Sequence, residues 1–294
     1  MYLVRHGESE ANIDKTVYHH KPDHAIDLTE GGRRMARGAG EFIRADLVRR
    51  FGGKHQLAAA EHSHLRLWVS PFTRTRQTAE ELLRMLNPRS ADNNSDRWVD
   101  SVRESAALAE QDFGVFEADG NKSKVPTGAA VADRAAPPAE VGTSPYAVER
   151  HRMSLKEHYA GLFWSRPPQG ESLFDVSCRL SALVAELTAD ILDLDTDRDP
   201  VRVVILVAHG NSLRGFVQQW CRFSPEWLSL SQAPPNCSVQ LIEGSEYKGF
   251  PFSGFCKRPR GDHTAVDGDL ERHPEVPLVQ DPRAQHWDAL LQGG

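Results

Sequence analysis

Six consecutive apolar residues, Val203 to Ala208 (VVILVA), end abruptly at His209-Gly210. The run is too short for a buried helix, and its β-branched residues favour extended backbone. It does not alternate with polar residues, so both faces of the strand must be covered. That condition is met in a parallel sheet with helices on either side. The start of the chain repeats the arrangement in miniature, with Tyr2-Leu3-Val4 running into Arg5-His6-Gly7. A third run, residues 65–70 (LRLWVS), leads into Pro71-Phe72-Thr73-Arg74.

Helical spacing fills the intervals. Thr29 is a candidate N-cap, followed by Met35, Ala39, Phe42, Ile43 and Leu47 on one face. A further helix is expected over about residues 74–86, through Ala79, Leu82, Leu83 and Leu86. Met153, Tyr159, Leu162 and Phe163 share a helical face. Ser172 with Asp175 three residues on forms a cap for a stripe of Leu173, Val176, Leu180, Leu183, Leu187 and Ile191. Ser212 is read as the start of another helix, and residues 238–243 as an edge strand. Alternating strands and helices predict an α/β fold, a three-layer α/β/α sandwich around a mostly parallel sheet. One domain over residues 1–243 is expected, interrupted by an insertion at 118–148 that lacks Leu, Ile, Phe, Trp and Met and is read as mobile. Residues 244–294 read as a polar, proline-rich tail or surface wrap.

The bulk numbers narrow the classes. With 39% hydrophobic and 26% charged residues, the composition is that of a globular protein, and the formal charge of −6 offers no basic field for nucleic acid or an anionic membrane. No apolar run approaches the roughly 20 residues that span a bilayer, and the first five residues are too short an apolar stretch for a signal peptide. A cytoplasmic location is expected. Cys178, Cys221, Cys237 and Cys256 make no CxxC or Cys/His ligand spacing, so reduced, mostly buried thiols are expected, with no metal site.

In open α/β sheets, ligands bind beyond the carboxyl ends of the strands. Arg5-His6-Gly7, Ser70 to Arg74 and His209-Gly210 should therefore meet there. A lone histidine at a strand end is usually structural. Two of them, each followed by glycine and accompanied by arginines on matching loops, suit phosphoryl transfer. A phosphomonoester is close to a dianion and repels nucleophiles until its oxygens are neutralised. Arg5 and Arg74 offer forked donors, and His209, when protonated, a third positive one. His6, neutral at one ring nitrogen, can attack phosphorus. Gly7 and Gly210 would let the backbone approach the phosphate. In the stretch 108–114 (LAEQDFG), Glu110 is the candidate general acid, kept protonated by the like charge of the substrate, with Asp112 second.

The block LVRHGES (residues 3–9) resembles the signature of the histidine phosphatase superfamily, phosphoglycerate-mutase-like branch. Four further blocks agree in order: LTEGG at 28–32, SPFTR at 70–74, GES at 170–172 and AHGNS at 208–212. The resemblance implies a phosphohistidine on His6, a phosphate pocket of Arg5, Arg74 and His209, a phosphoryl contact from Asn12, and Glu110 as proton donor. Glu171 and Ser172 would lie at the pocket rim, with helix capping as an equal alternative. Pro22-Asp23-His24 and the 103–114 block look closest to plant and fungal phosphoglycerate-mutase-like proteins, for which phosphatase activity is the expectation. His24 would then reach the pocket; the cluster His19, His20, His24 lacks carboxylates at metal-ligand spacing.

The expected function is a metal-independent phosphomonoester hydrolase without a cofactor, acting on a small-molecule phosphomonoester. The alternative is a mutase-type phosphotransferase using 2,3-bisphosphoglycerate. Ala11 and the stretch 18–26 (YHHKPDHAI) depart from the mutase pattern, and the interval before GES shows Arg150 and Arg152 but no clear basic cluster. A silent binding or scaffold protein on the same fold is the remaining alternative. It is disfavoured because His6, Arg5, Arg74, Glu110 and His209 are all present.

Overall fold

The computed structural model describes residues 1–52, 64–88, 97–116, 147–192, 201–257 and 270–284. Within these, the elements are β1 (Tyr2–Arg5), α1 (Glu10–Ile13), α2 (Glu30–Phe51), β2 (His64–Val69), α3 (Thr73–Leu86), β3 (Ser101–Glu104), α4 (Ala147–Ala160), α5 (Leu173–Leu192), β4 (Val201–Ala208), α6 (Gly210–Cys221), α7 (Pro225–Leu230), β5 (Val239–Glu243), β6 (Glu246–Tyr247), β7 (Phe255–Lys257) and β8 (Leu270–Arg272). The main sheet has the order β3-β2-β4-β1-β5-β6. Strands β1 to β4 run parallel; β5 joins β1 antiparallel, and β6 joins β5 antiparallel at the edge.

The sheet is covered on both faces, as the VVILVA run requires. Val4, Leu67, Val69, Ile205 and Val207 pack with Met35, Ala39, Ile43 and Leu47 of α2 and Ala79, Leu82 and Leu86 of α3. Leu3, Trp68, Val204, Leu206 and Ala208 face the other way, toward Leu173, Val176, Leu180 and Leu187 of α5 and Leu213, Phe216 and Val217 of α6. Alternate residues of one strand thus feed two cores, which makes the three layers.

Register aligns the strand ends. Val4 pairs with Val207, and Val207 with Val69. The His6 N–H then donates to the Ala208 carbonyl (3.0 Å) and the Ser70 N–H to the Val207 carbonyl (3.0 Å). All three signature loops leave the same edge of the sheet.

Several boundaries differ from the sequence expectation. The helix expected to begin at Ser212 begins at Gly210, with His209 as its N-cap. The strand expected at the sheet edge, β5, lies inside it, because the two-residue β6 pairs along its outer side. β3 was not foreseen; its one large apolar side chain, Val102, is 47% exposed, so no core-facing stripe marks it. Helix α4 stops at Ala160, and Leu162 and Phe163 sit in the turn beyond it. Cys237 is buried but Cys178 is exposed, which corrects the expectation of mostly buried thiols.

The insertion read at 118–148 lies outside the described residues, apart from the first two positions of α4. Beyond residue 243 the described chain packs onto the body. Phe252 bridges to Val239 and is buried, β7 pairs with β8, and the Trp227 indole donates to the Val279 carbonyl (2.9 Å). Among the described residues, no helix is long and apolar enough to cross a membrane.

Candidate active site

The first strand end is held rigidly. The His6 side chain is 3% exposed, and its Nδ1 lies 2.7 Å from the Gly7 carbonyl oxygen. A carbonyl only accepts, so Nδ1 carries the proton and the neutral ring keeps its lone pair on Nε2. Asn236 clamps the loop from outside; its Nδ2 donates to the carbonyls of His6 (3.0 Å) and Gly7 (3.2 Å). Cys237, at φ +52°, donates its N–H to the Arg5 and His6 carbonyls (3.1 and 3.3 Å). A left-handed cysteine is uncommon backbone, held here by the loop it supports.

Gly7 has a structural reason beyond phosphate approach. A Cβ there would stand 2.5 Å from the Gly32 carbonyl oxygen, because the loop lies directly on the first turn of α2. Thr29 seals that contact, accepting from the Gly32 N–H (2.9 Å) and donating to the Glu8 carboxylate (2.8 Å). At Gly210 the neighbours of a Cβ would be Ala233 Cβ at 3.7 Å and the Arg5 guanidinium, Nε at 3.9 Å and Cζ at 4.0 Å. The missing side chain of Gly210 therefore opens space beside Arg5.

The second histidine completes the pair. His209 is fully buried, its ring centroid 5.3 Å from that of His6, with its Nε2 2.8 Å from the Ser70 hydroxyl. Phe72 ties the site together. Its ring lies 4.9 Å from His209, 5.0 Å from the Arg74 guanidinium and 6.5 Å from His24. Arg74, from the first turn of α3, is 3% exposed and is gripped by Asp23. His24 is exposed, and its ring stands edge-on to that of Phe72.

Arg5 donates through Nη1 to the Pro234 carbonyl (2.6 Å). Burial pushes its guanidinium below the ordinary range, and the charge of Glu110 opposes that shift. A cation stripped of water in this way is stabilised by an arriving anion. Glu110 thus lies within electrostatic reach of Arg5; its Oε1 accepts from the Gln111 N–H (3.0 Å).

The acid loop is braced by residues the sequence did not single out. Arg179 donates to the carbonyls of Ala109 (2.8 Å) and Glu110 (3.1 Å) and to Glu171 Oε1 (2.9 Å). Gln111 accepts from Asn211 (2.6 Å) and donates to the Glu171 carbonyl (2.6 Å). Arg214, pushed down to about 10 by burial and opposed by Glu110, donates to Asn211 Oδ1 (3.0 Å). The bonds from Arg179 to the Glu110 carbonyl and from Asn211 to Gln111 join positions 69 and 100 residues apart, which no local motif encodes.

The remaining expected residues have narrower tasks. Asn12 is exposed and gives its side-chain oxygen to the Ser9 N–H (3.0 Å) and hydroxyl (3.1 Å), capping α1. Ser172 exchanges cap bonds with Asp175, and Glu171 accepts from the Asp112 N–H (3.1 Å). Asp112 itself caps the Gly114 N–H (2.7 Å), a turn role. Among the described residues, no group of three or more His, Cys, Asp or Glu side chains is placed to hold a metal ion.

The sequence matches the profile of the histidine phosphatase superfamily (branch 1) over residues 1–150 and 129–251. A phosphoglycerate mutase-like protein of Arabidopsis thaliana is 31% identical over 246 residues, which is 82% of this chain and 72% of the relative. A broad-range acid phosphatase of Saccharomyces cerevisiae is 26% identical over 284 residues, 83% of this chain and 85% of that protein. A solved structure described as mycobacterial hydrolase 2 superposes with a TM-score of 0.52 at 18% identity, covering 99% of this chain and 96% of that one.

Proposed function

The chain belongs to the histidine phosphatase superfamily (branch 1), and from that premise we propose that it is a metal-independent, cofactor-free phosphomonoesterase working through a phosphohistidine on His6. The observation that carries this is the His6 ring. It is buried, fixed through Nδ1 to Gly7 so that the basic nitrogen is Nε2, and lies 5.3 Å from the His209 ring, centroid to centroid. The acid phosphatase among the relatives supports hydrolysis over mutase transfer.

Two balanced steps follow. The Nε2 lone pair attacks phosphorus, the P–O ester bond breaks, and the leaving oxygen takes the Glu110 carboxyl proton. Glu110 then accepts a proton from water as that water attacks phosphorus. The P–N bond breaks, orthophosphate leaves, and His6 recovers its lone pair. Arg5, Arg74 and His209 carry the charge on the equatorial oxygens throughout, and the fixed donors spare the reaction their reorganisation. The substrate is a small phosphomonoester in the cytoplasm, with no nucleic acid or membrane surface involved.

The test is orthophosphate release from sugar phosphates, phosphoglycerates, a nucleotide and a phosphopeptide, with a chelator present, for the native protein and His6→Ala. Chelator-resistant release that vanishes in the variant is the expected result, and the fastest ester names the substrate class. Equal release by the variant overturns the mechanism. No release, together with interconversion of phosphoglycerates when 2,3-bisphosphoglycerate is added, selects the mutase instead.

A further inference from the structure

Pro22-Asp23-His24 stands out in the sequence, and the two-step mechanism leaves it without a task. In the fold, Asp23 opens a 3-10 turn, Asp23–Ala25, that lies against the first turn of α3. Its carboxylate meets the end of the Arg74 guanidinium: Nη2 donates to Oδ2 at 3.2 Å, and Nη1 is in ion-pair contact with Oδ1 at 3.1 Å. Its backbone carbonyl accepts a further bond from Nη1 at 2.6 Å. The two side chains are only 4% and 18% exposed, so this is not a solvated surface pair.

A guanidinium has two forks: the end, formed by Nη1 and Nη2, and the side, formed by Nε and the second hydrogen of Nη2. Asp23 holds the end fork. No bond from Nε is found among the described residues, so the side fork is the one that matches two phosphate oxygens. The guanidinium carbon also lies over the Phe72 ring, 5.0 Å from its centroid, so Phe72 and Asp23 together restrict the movement of the group. A flexible arginine would otherwise lose rotamer freedom on each substrate encounter.

We propose that Asp23 is a positioning residue for phosphoryl transfer: it engages the end of Arg74 so that the Nε–Nη2 edge meets the transferring phosphoryl group. The inference deepens the phosphatase reading above and rests on it. An ion pair that served only to join the turn to α3 would leave phosphate binding untouched. A positioning pair transmits its loss through Arg74 and no other residue.

The experiment is calorimetric titration of the full chain with inorganic phosphate, alongside kcat and KM on the best ester. The proteins are native, Asp23→Ala, Asp23→Asn, Arg74→Ala and the double variant Asp23→Ala/Arg74→Ala. Asp23→Ala is expected to weaken phosphate binding and lower kcat by about tenfold to a hundredfold. Asp23→Asn keeps an acceptor oxygen and the backbone bond, and is expected to stay within about threefold of native. In the Arg74→Ala background, adding Asp23→Ala is expected to change binding by less than about twofold.

Unchanged or tighter phosphate binding in Asp23→Ala overturns the inference, and so does an undiminished loss in the Arg74→Ala background. Failure of the native protein to bind phosphate overturns the functional reading and this inference with it; native binding with insensitive Asp23 variants sinks the inference alone. Should Asp23→Ala not fold, Asp23→Glu decides. Its carboxylate is displaced by one methylene, so a clear loss of affinity supports positioning and native affinity refutes it.

Discussion

The two His-Gly strand ends look alike in sequence and differ in what they demand. Each follows a buried parallel strand and each leads to a helix, yet Gly7 is wedged on Gly32 while Gly210 faces the space beside Arg5. His6 is oriented by its own loop through the Gly7 carbonyl, whereas His209 is oriented by Ser70 from the neighbouring strand. One end is wedged into the fold and carries the proposed nucleophile; the other has open space beside Arg5 and carries the proposed charge donor. A repeated motif therefore does not imply a repeated role, and the surrounding packing decides which is which.

Substitutions at the four positions separate the roles, and the histidines give the largest effects. His6→Ala should remove turnover by on the order of 10⁵-fold, measured as orthophosphate release, because no second nucleophile stands in its place. His209→Ala should cost about 10²- to 10³-fold and leave a slow reaction that still passes through a trapped phosphoenzyme. Equal losses at both would erase the distinction between nucleophile and charge donor.

The glycines give smaller effects of opposite kind. Gly7→Ala places a methyl group 2.5 Å from a backbone oxygen, so the loop or α2 must move. A stability loss of about 1–3 kcal/mol is expected in denaturant unfolding, with activity falling alongside. Gly210→Ala meets only ordinary contacts and sits at the start of a helix. Stability should stay level or rise by up to about 0.5 kcal/mol, while KM rises a few-fold as the methyl group narrows the space beside Arg5. Reversed results, a destabilised Gly210→Ala beside a neutral Gly7→Ala, would overturn the assignment of packing to one and pocket to the other.

What could be read from the sequence follows the same division. The strands β1, β2 and β4 were legible because full burial leaves an unbroken apolar run, and the helices because their stripes and caps at Thr29 and Ser172 are local. The three loops were legible because parallel strands put their carboxyl ends on one edge. β3 was not, since an edge strand of four residues with its valine outward leaves no pattern. The bracing of the Glu110 carbonyl by Arg179, the charge coupling of Arg214 to Glu110, the clamp of Asn236 and the grip of Asp23 on Arg74 were also hidden. Each joins residues distant in the chain, and each donor or acceptor alone reads as an ordinary polar side chain. Gly7 was singled out for close approach to a phosphate; the packing constraint on it comes from Gly32, which only the tertiary fold brings near.

The place of β1 in the sheet also sets a timetable. The strand that carries His6 has two neighbours, β4 and β5, and Tyr2 pairs with Ile205 on one side and Leu241 on the other. A chain emerging from the ribosome at roughly 5–20 residues per second must therefore carry the His6 strand unpaired for on the order of 10 to 40 seconds. Closing so long a loop is a slow, late event in folding. The site is consequently incomplete until β4 and β5 have been made, and a first turnover would mark the completion of the sheet.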